Sequence, residues 1–262
     1  MDYKEKNRNS WNQRTEVHYT SEFYDNDSFI KGRNSLNSIE LGLLENIKGK
    51  SILHLQCHFG QDTISLERLG AKALGVDLSD KAIEKANELA KETGSSARFI
   101  CCDIYDLPQH LDEKFDVVYT SYGVIGWLPD LNRWAKLISN YLKPGGELVL
   151  VEFHPVVWMF DDHFKEICYS YFNVEPIVET TKGTYTEGEV EEREEITWNH
   201  PLDEVLNSLI RNGLRLDSLD EYDYSPYNCF NGTEEFEPGK FRIKSLGNRI
   251  PMVYSIKATK PL

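Results

Sequence analysis

The chain alternates between two hydrophobic rhythms. Apolar runs of strand length fall at 51–55, 72–77, 98–102, 115–121 and 147–153, and between them apolar residues recur at helical spacing. Residues 62–69 carry that spacing up to Gly70. Ser79 then predicts a helix cap, with Ala82, Ile83, Ala86, Leu89 and Ala90 on one face and Gly94 ending the helix. A third helix is expected over 131–142, stopped by Pro144-Gly145-Gly146. Strands and helices in strict alternation predict an α/β fold, with a doubly wound, mostly parallel sheet covered by helices on both faces.

The flanks follow other rules. Leu36, Ile39, Leu43, Leu44 and Ile47 predict a helix over 36–47 that turns into the first strand through Lys48-Gly49-Lys50. Residues 1–35 are polar with scattered aromatics and read as a helical or irregular lead-in. After Pro155 the chain turns to Glu, Thr, Tyr and β-branched residues in short alternating runs, such as Arg193 to Trp198. We expect an antiparallel insertion or lid over about 155–200, a helix over 203–212, and closing strands at about 214–222 and 251–259. The stretch 225–248 between them reads as a turn-rich loop, and the five glutamates of 189–195 as a solvated edge strand. The expected organisation is a lead-in with lid helices over 1–47 and one domain over 48–262.

Charge and cysteine usage narrow the partners. A formal charge of −14 argues against nucleic acid or an anionic membrane as the main partner. No apolar run approaches the roughly 20 residues that span a bilayer. The five cysteines form no CxxC pair, which points to a reducing, cytoplasmic setting. Histidines and cysteines show no metal-ligand spacing, so no metal site is expected. Oligomeric state is left open.

The chemistry concentrates around the first turn. Leu53-His54-Leu55-Gln56-Cys57-His58-Phe59-Gly60 runs from strand into helix, and Asp77 follows seventeen residues after Gly60, at the end of the second strand. In doubly wound folds an acid there accepts hydrogen bonds from the ribose hydroxyls of a nucleoside lying over the first turn. Gly60 is expected to allow close backbone approach to that ligand. Ser121 and Tyr122 follow the fourth strand, at the carboxyl edge where ligands bind. Tyr122 or Trp127 can offer an aromatic face to a cation. His154, at the end of the fifth strand, and Glu152 are the candidate general bases.

In order and spacing, four segments resemble the class I S-adenosylmethionine-dependent methyltransferases. These are the first turn, Gly75-Val76-Asp77-Leu78-Ser79, Cys102-Asp103-Ile104, and Phe115-Asp116-Val117-Val118-Tyr119 followed by Leu142-Lys143-Pro144-Gly145-Gly146. The resemblance implies a seven-stranded Rossmann-like sheet, S-adenosyl-L-methionine as cofactor, and methyl transfer to a small-molecule O, N or C nucleophile. It also implies that Asp103 and Ile104 contact the adenine, with Leu78 forming the other side of the slot, and that the Ser121 segment faces the methionine portion. The first motif departs from the family's L-D-L-G-C-G-x-G. His54 stands for the acid, and Gln56 and His58 stand for two glycines. The bulkier turn is expected to adopt less demanding backbone geometry, with Gln56 or His58 lining the pocket. His54 either bonds the methionine amino group or is a satisfied histidine under the sheet. His18 and the amino-terminal aromatics are candidates for a lid. Two alternatives stay open: a cofactor-binding module without transfer activity, and a nicotinamide-dependent oxidoreductase. The missing glycines weigh against the second, because a pyrophosphate needs several close backbone amides.

Overall fold

The computed structural model describes residues 2–188 and 190–262. Three helices lead in: α1 (Tyr3–Thr20), α2 (Asn26–Ile30) and α3 (Ser38–Leu43). The alternating region follows as β1 (Ser51–Leu55), α4 (Gln61–Arg68), β2 (Lys72–Asp77), α5 (Asp80–Thr93), β3 (Arg98–Cys101), β4 (Phe115–Ser121), α6 (Leu131–Tyr141) and β5 (Leu142–Phe153). The remainder comprises β6 (Ile177–Thr181), β7 (Arg193–Thr197), α7 (Leu202–Arg211), β8 (Arg215–Tyr222), β9 (Thr233–Glu237), β10 (Lys240–Ile243) and β11 (Val253–Thr259).

Seven strands form one sheet in the order β3-β2-β1-β4-β5-β11-β8. β1 pairs in parallel with both β2 and β4, whereas β11 runs antiparallel to both β5 and β8. The order reverses beside β1, and the crevice there, at the carboxyl ends of β1 and β4, is where such sheets bind ligands. One face of the sheet packs on α6 and α7 through Val118, Leu148, Leu150, Trp134, Ile138 and Leu209. The other face buries Ile52, Val117, Tyr119 and Val149 against Leu36, Leu44 and Leu66. Ser79 caps α5 by accepting from the Ala82 amide, and Gly94 closes that helix with φ +66°.

Three expectations need correction. The helix read over 36–47 is only α3; Asn46 turns left-handed (φ +57°), while Leu44 and Ile47 still pack into the core as turn residues. The loop 225–248 contains the β9–β10 hairpin, whose short, half-exposed strands give weak alternation. The glutamate-rich edge is not uniformly solvated. Glu195 is buried, accepts from the Ser10 hydroxyl (2.5 Å), and pairs with Arg14 (2.7 Å) and Arg193 (3.0 Å). Glu189 lies outside the described residues.

Candidate functional site

A cavity of about 610 Å³ opens at the crevice beside β1 and is walled by the first turn, the ends of β2, β4 and β5, one side of α1, and the insertion. The turn after β1 keeps a demanding backbone, contrary to the expectation that its bulkier side chains relax it. Gln56 (φ +55°) and His58 (φ +50°) are both left-handed, as is Gly60 (φ +80°). For non-glycine residues that conformation costs about 1–2 kcal/mol each. Specific bonds offset it. Gln56 Nε2 donates to the Val124 carbonyl (2.8 Å), the Cys57 amide to the Val76 carbonyl (2.9 Å), and the His58 amide to Asp77 Oδ2 (2.8 Å). The turn thus copies a glycine backbone while carrying two side chains that line the cavity. Gly60 also lines it, but a Cβ there would meet the Phe99 ring at 2.5 Å. Packing against β3, together with positive φ, is what demands glycine at 60.

Asp77 caps β2 and faces the cavity. Its second oxygen accepts from the Ser79 amide (2.8 Å), and burial raises its carboxyl to about 6 despite those amides. Leu78, Asp103 and Ile104 line the same end. Asp103 caps the turn after β3 through the Tyr105 amide (2.8 Å) and also receives the Tyr3 hydroxyl of α1 (3.3 Å). His54 is buried on β1, its Nδ1 on the Thr63 hydroxyl (2.8 Å) and its ring tilted against Tyr119; burial lowers its pKa to about 3, so the ring is neutral. It still lines the cavity.

Ser121 and Tyr122 sit at the end of β4 in the cavity wall. Tyr122 is left-handed (φ +37°) and donates its hydroxyl to Glu40 Oε2 (2.9 Å). The expected bases do not assemble. Glu152 accepts from four backbone amides: Gly123, Val124 (2.8 Å), Ile125 (3.1 Å) and Phe153 (2.6 Å). Its carboxylate is a buried anchor for the chain after β4, with no oxygen left free to take a proton. His154 lies outside the cavity wall that Phe153 and Pro155 form on either side of it. Its Nδ1 accepts from the Val156 amide (3.2 Å) and its Nε2 lies 3.0 Å from Glu221. Alternation does not account for this, since Glu152, two residues earlier, lines the cavity; His154 is held instead by Glu221 and by its contact with Tyr254.

The lead-in does reach the site. Tyr3, Asn7, Trp11 and Arg14 of α1 line the cavity, and Trp11 packs edge-on to Trp127 of the β4–α6 loop (5.3 Å). The buried positions of α1 are Asn7, Ser10, Thr15 and His18, all polar. Asn7 pairs with the Ile196 backbone, Asn12 receives the Ser79 hydroxyl, and His18 Nδ1 meets His58 Nε2 (3.1 Å) while its Nε2 meets Thr184 (2.7 Å). Burial lowers the pKa of His18 to about 2 and of His58 to about 3, so this contact joins two neutral rings. Sequence reading also missed Arg33 and Asp62, both in the cavity wall. Asp62 stands in the first turn of α4, where an acid is favoured by the helix dipole alone. No apolar period marks either residue.

Residues 52–146 match the family described as methyltransferase domain. The strand order and the acid at the end of β2 agree with that match. This segment is a methyltransferase domain. Among curated proteins, the chain is 30% identical over 132 residues to a ubiquinone biosynthesis O-methyltransferase of Idiomarina loihiensis, covering 49% of this chain and 54% of that one. It is 32% identical over 133 residues to an uncharacterized methyltransferase of Synechocystis, covering 50% of this chain and 60% of that one. The chain spans between half and two thirds of the length of the curated relatives it matches. Among solved structures, geranyl diphosphate C-methyltransferase from Streptomyces coelicolor, in complex with Mg2+, geranyl diphosphate and S-adenosyl-L-homocysteine, superposes with a TM-score of 0.61 at 15% identity, covering 99% of this chain and 98% of that one. The PH0226 protein of Pyrococcus horikoshii gives 0.60 at 18% identity, covering 94% and 98%. These likenesses show that the methyltransferase fold extends over the whole described chain. Among the described residues no group of three or more His, Cys, Asp or Glu is placed to hold a metal ion, and no helix is long and apolar enough to cross a membrane.

Proposed function

We propose that this protein transfers the methyl group of S-adenosylmethionine to an O, N or C nucleophile of a small-molecule acceptor. The observation that carries the reading is Asp77. Its carboxylate faces the cavity, braces the first turn through the His58 amide, and lies within a methyltransferase domain. The residues present fit such a cofactor. Asp77 has lone pairs left for ribose hydroxyls, and Leu78 and Ile104 line the end where Asp103 offers an acceptor to an adenine amino group. Gln56 Oε1 and His58 Nδ1 are buried without partners, as groups awaiting a polar ligand would be. Side chains fill the turn where a pyrophosphate would need bare amides, which disfavours a nicotinamide dinucleotide.

When bound, the cofactor supplies a methyl group on a sulfonium already activated for in-line displacement. The chain then has to align the acceptor and exclude water. α1 and the insertion cover the cavity, and Trp11 and Trp127 close it between them. Glu152 fixes the path of Gly123 to Ile125, and so the wall beside the reacting groups. Glu152, His154 and Tyr122, whose hydroxyl is donated to Glu40, are all engaged within the protein, so the chain's part in the reaction is alignment and exclusion of water rather than proton removal. Trp158, Phe160, Phe164 and Phe230 also line the cavity and favour an aromatic or amphipathic acceptor. The second reading, a cofactor-binding module without transfer, is favoured by the strained turn alone.

Titration with S-adenosylhomocysteine by calorimetry, with Asp77→Ala alongside and NADH as rival ligand, tests the reading. Micromolar binding that the substitution weakens is expected. Absence of binding, or NADH binding in its place, overturns it; binding without turnover on a broad acceptor panel favours the second reading.

A further inference from the structure

Two carboxyl groups stand in or behind the cavity wall with too little positive charge to match them. Glu40 of α3 is fully buried; its Oε2 receives Tyr122 and its Oε1 the Asn37 amide (3.2 Å). Asp62 of α4 lines the cavity, and its Oδ1 accepts from the Ser35 hydroxyl (2.6 Å), with Ser121 also within bonding reach of the carboxylate. Burial and the charge of Asp62 together raise Glu40 to about 7, and burial raises Asp62 as well. Arg33 is the cation that faces Asp62 among the described residues, and its guanidinium is engaged by the carbonyls of Tyr24 (2.5 Å) and Asp25 (3.4 Å). An independent sign of a missing ligand comes from β4. Tyr119 is fully buried, and its hydroxyl faces Ser121, Asp62 and Glu40 without a close hydrogen bond to any of them. The residue at the end of β1, His54, is neutral and adds no charge of either sign.

A buried carboxylate short of counter-charge is expensive, and a ligand that brings N–H donors and a positive charge relieves that cost. We propose that Asp62, supported by Ser35, Glu40 and the Tyr119 hydroxyl, is the seat for the ammonium group of the cofactor's amino-acid end. The inference rests on the cofactor reading above and adds to it. The negative charge lies on the first turn of α4, while the end of β1 carries a neutral ring. An ammonium offers three donors and no acceptor, which suits one carboxylate and neighbouring hydroxyl oxygens. Asp77 serves the other end of the same ligand, so the two acids are expected to answer to different parts of it.

Calorimetry with two ligands separates them. S-adenosylhomocysteine carries the amino-acid end, whereas 5′-methylthioadenosine keeps the nucleoside and lacks that end. In Asp62→Asn, S-adenosylhomocysteine is expected to bind about ten- to a hundredfold more weakly, the scale of a charge-assisted hydrogen bond, and 5′-methylthioadenosine within about twofold of the wild type. Asp77→Ala is expected to weaken both ligands. Unchanged S-adenosylhomocysteine binding in Asp62→Asn, or parallel loss of both ligands, overturns the assignment while leaving the cofactor reading intact. Failure of both ligands to bind the wild-type protein overturns the cofactor reading itself. Should the variant not fold, the wild type decides. S-adenosylhomocysteine stripped of its amino group is expected to lose the same ten- to hundredfold, and equal binding of the two compounds overturns the proposal.

Discussion

The two ends of the cavity are built on different plans. At the first turn, one acid, Asp77, is held by two backbone amides and braces a left-handed turn, so a backbone scaffold sets the geometry. At the opposite end, the surroundings of Asp62 and Glu40 are hydroxyls and aromatic rings contributed by the lead-in, β4 and the loop after β8. The difference teaches that a scaffold made from backbone leaves a motif in the sequence, whereas a site made from side chains of distant segments does not. It also predicts distinct responses to substitution.

The largest effect belongs to neither end but to the anchor between them. Glu152→Leu strands four amides that now share one carboxylate, and urea unfolding is expected to show a loss of at least about 3 kcal/mol. A loss below about 1 kcal/mol would mean that those amides find water, and that Glu152 is free for chemistry after all. Next comes Asp77→Ala, expected to weaken S-adenosylhomocysteine by about 1.5–3 kcal/mol in a folded protein. Unchanged affinity there would remove the backbone-built end from the comparison.

Proton linkage probes the other end. Glu40 titrates near 7 in the free protein, and an arriving cation favours its ionised form. Binding therefore releases a proton below that pH, and affinity for S-adenosylhomocysteine is expected to rise about tenfold from pH 6 to pH 8. The groups facing Glu40 are Asp62 from α4, Tyr119 and Tyr122 from β4, Tyr227 from the loop after β8, and Asn37 from its own cap. The tyrosines are all pushed upward and stay neutral in this window. Glu40→Gln should flatten the profile; a slope that persists would point to Asp62 or to Asp77, both of which burial raises, Asp77 to about 6.

The smallest effect is expected at the turn. His58→Gly relieves a left-handed residue, worth about 1–2 kcal/mol, but removes the bond to His18, worth about 1 kcal/mol. Thermal unfolding should place the variant within about 1 kcal/mol of the wild type. A large loss would show that the paired rings do more than fasten α1.

Much of the frame was legible because its signals are local. The alternation of periods predicted β1 to β5 and their helices, Ser79 and Gly94 bounded α5 as read, and Asp77 was placed from spacing alone. Conformational strain was not legible. Gln56 and His58 carry side chains that argue against positive φ, and only tertiary bonds to Val124 and Asp77 hold them there. The place of His154 was not legible either. It follows β5 and turns to Glu221, sixty-seven residues further along, a contact that no local pattern announces. Glu40 and Asp62 become neighbours only once α3 folds beside β4 and α4.

The polar face of α1 has a mechanical meaning. A seam of apolar side chains resists parting because each opening exposes oil to water. The seam under α1 is stitched by Asn7, Ser10, Asn12 and His18, groups that water can receive as readily as the protein does. The helix is thus a door hung on wettable fittings. Beside the Trp11 rings and the Arg14–Glu195 pair, such fittings expose little oil when they part, and the sheet beneath keeps its own core.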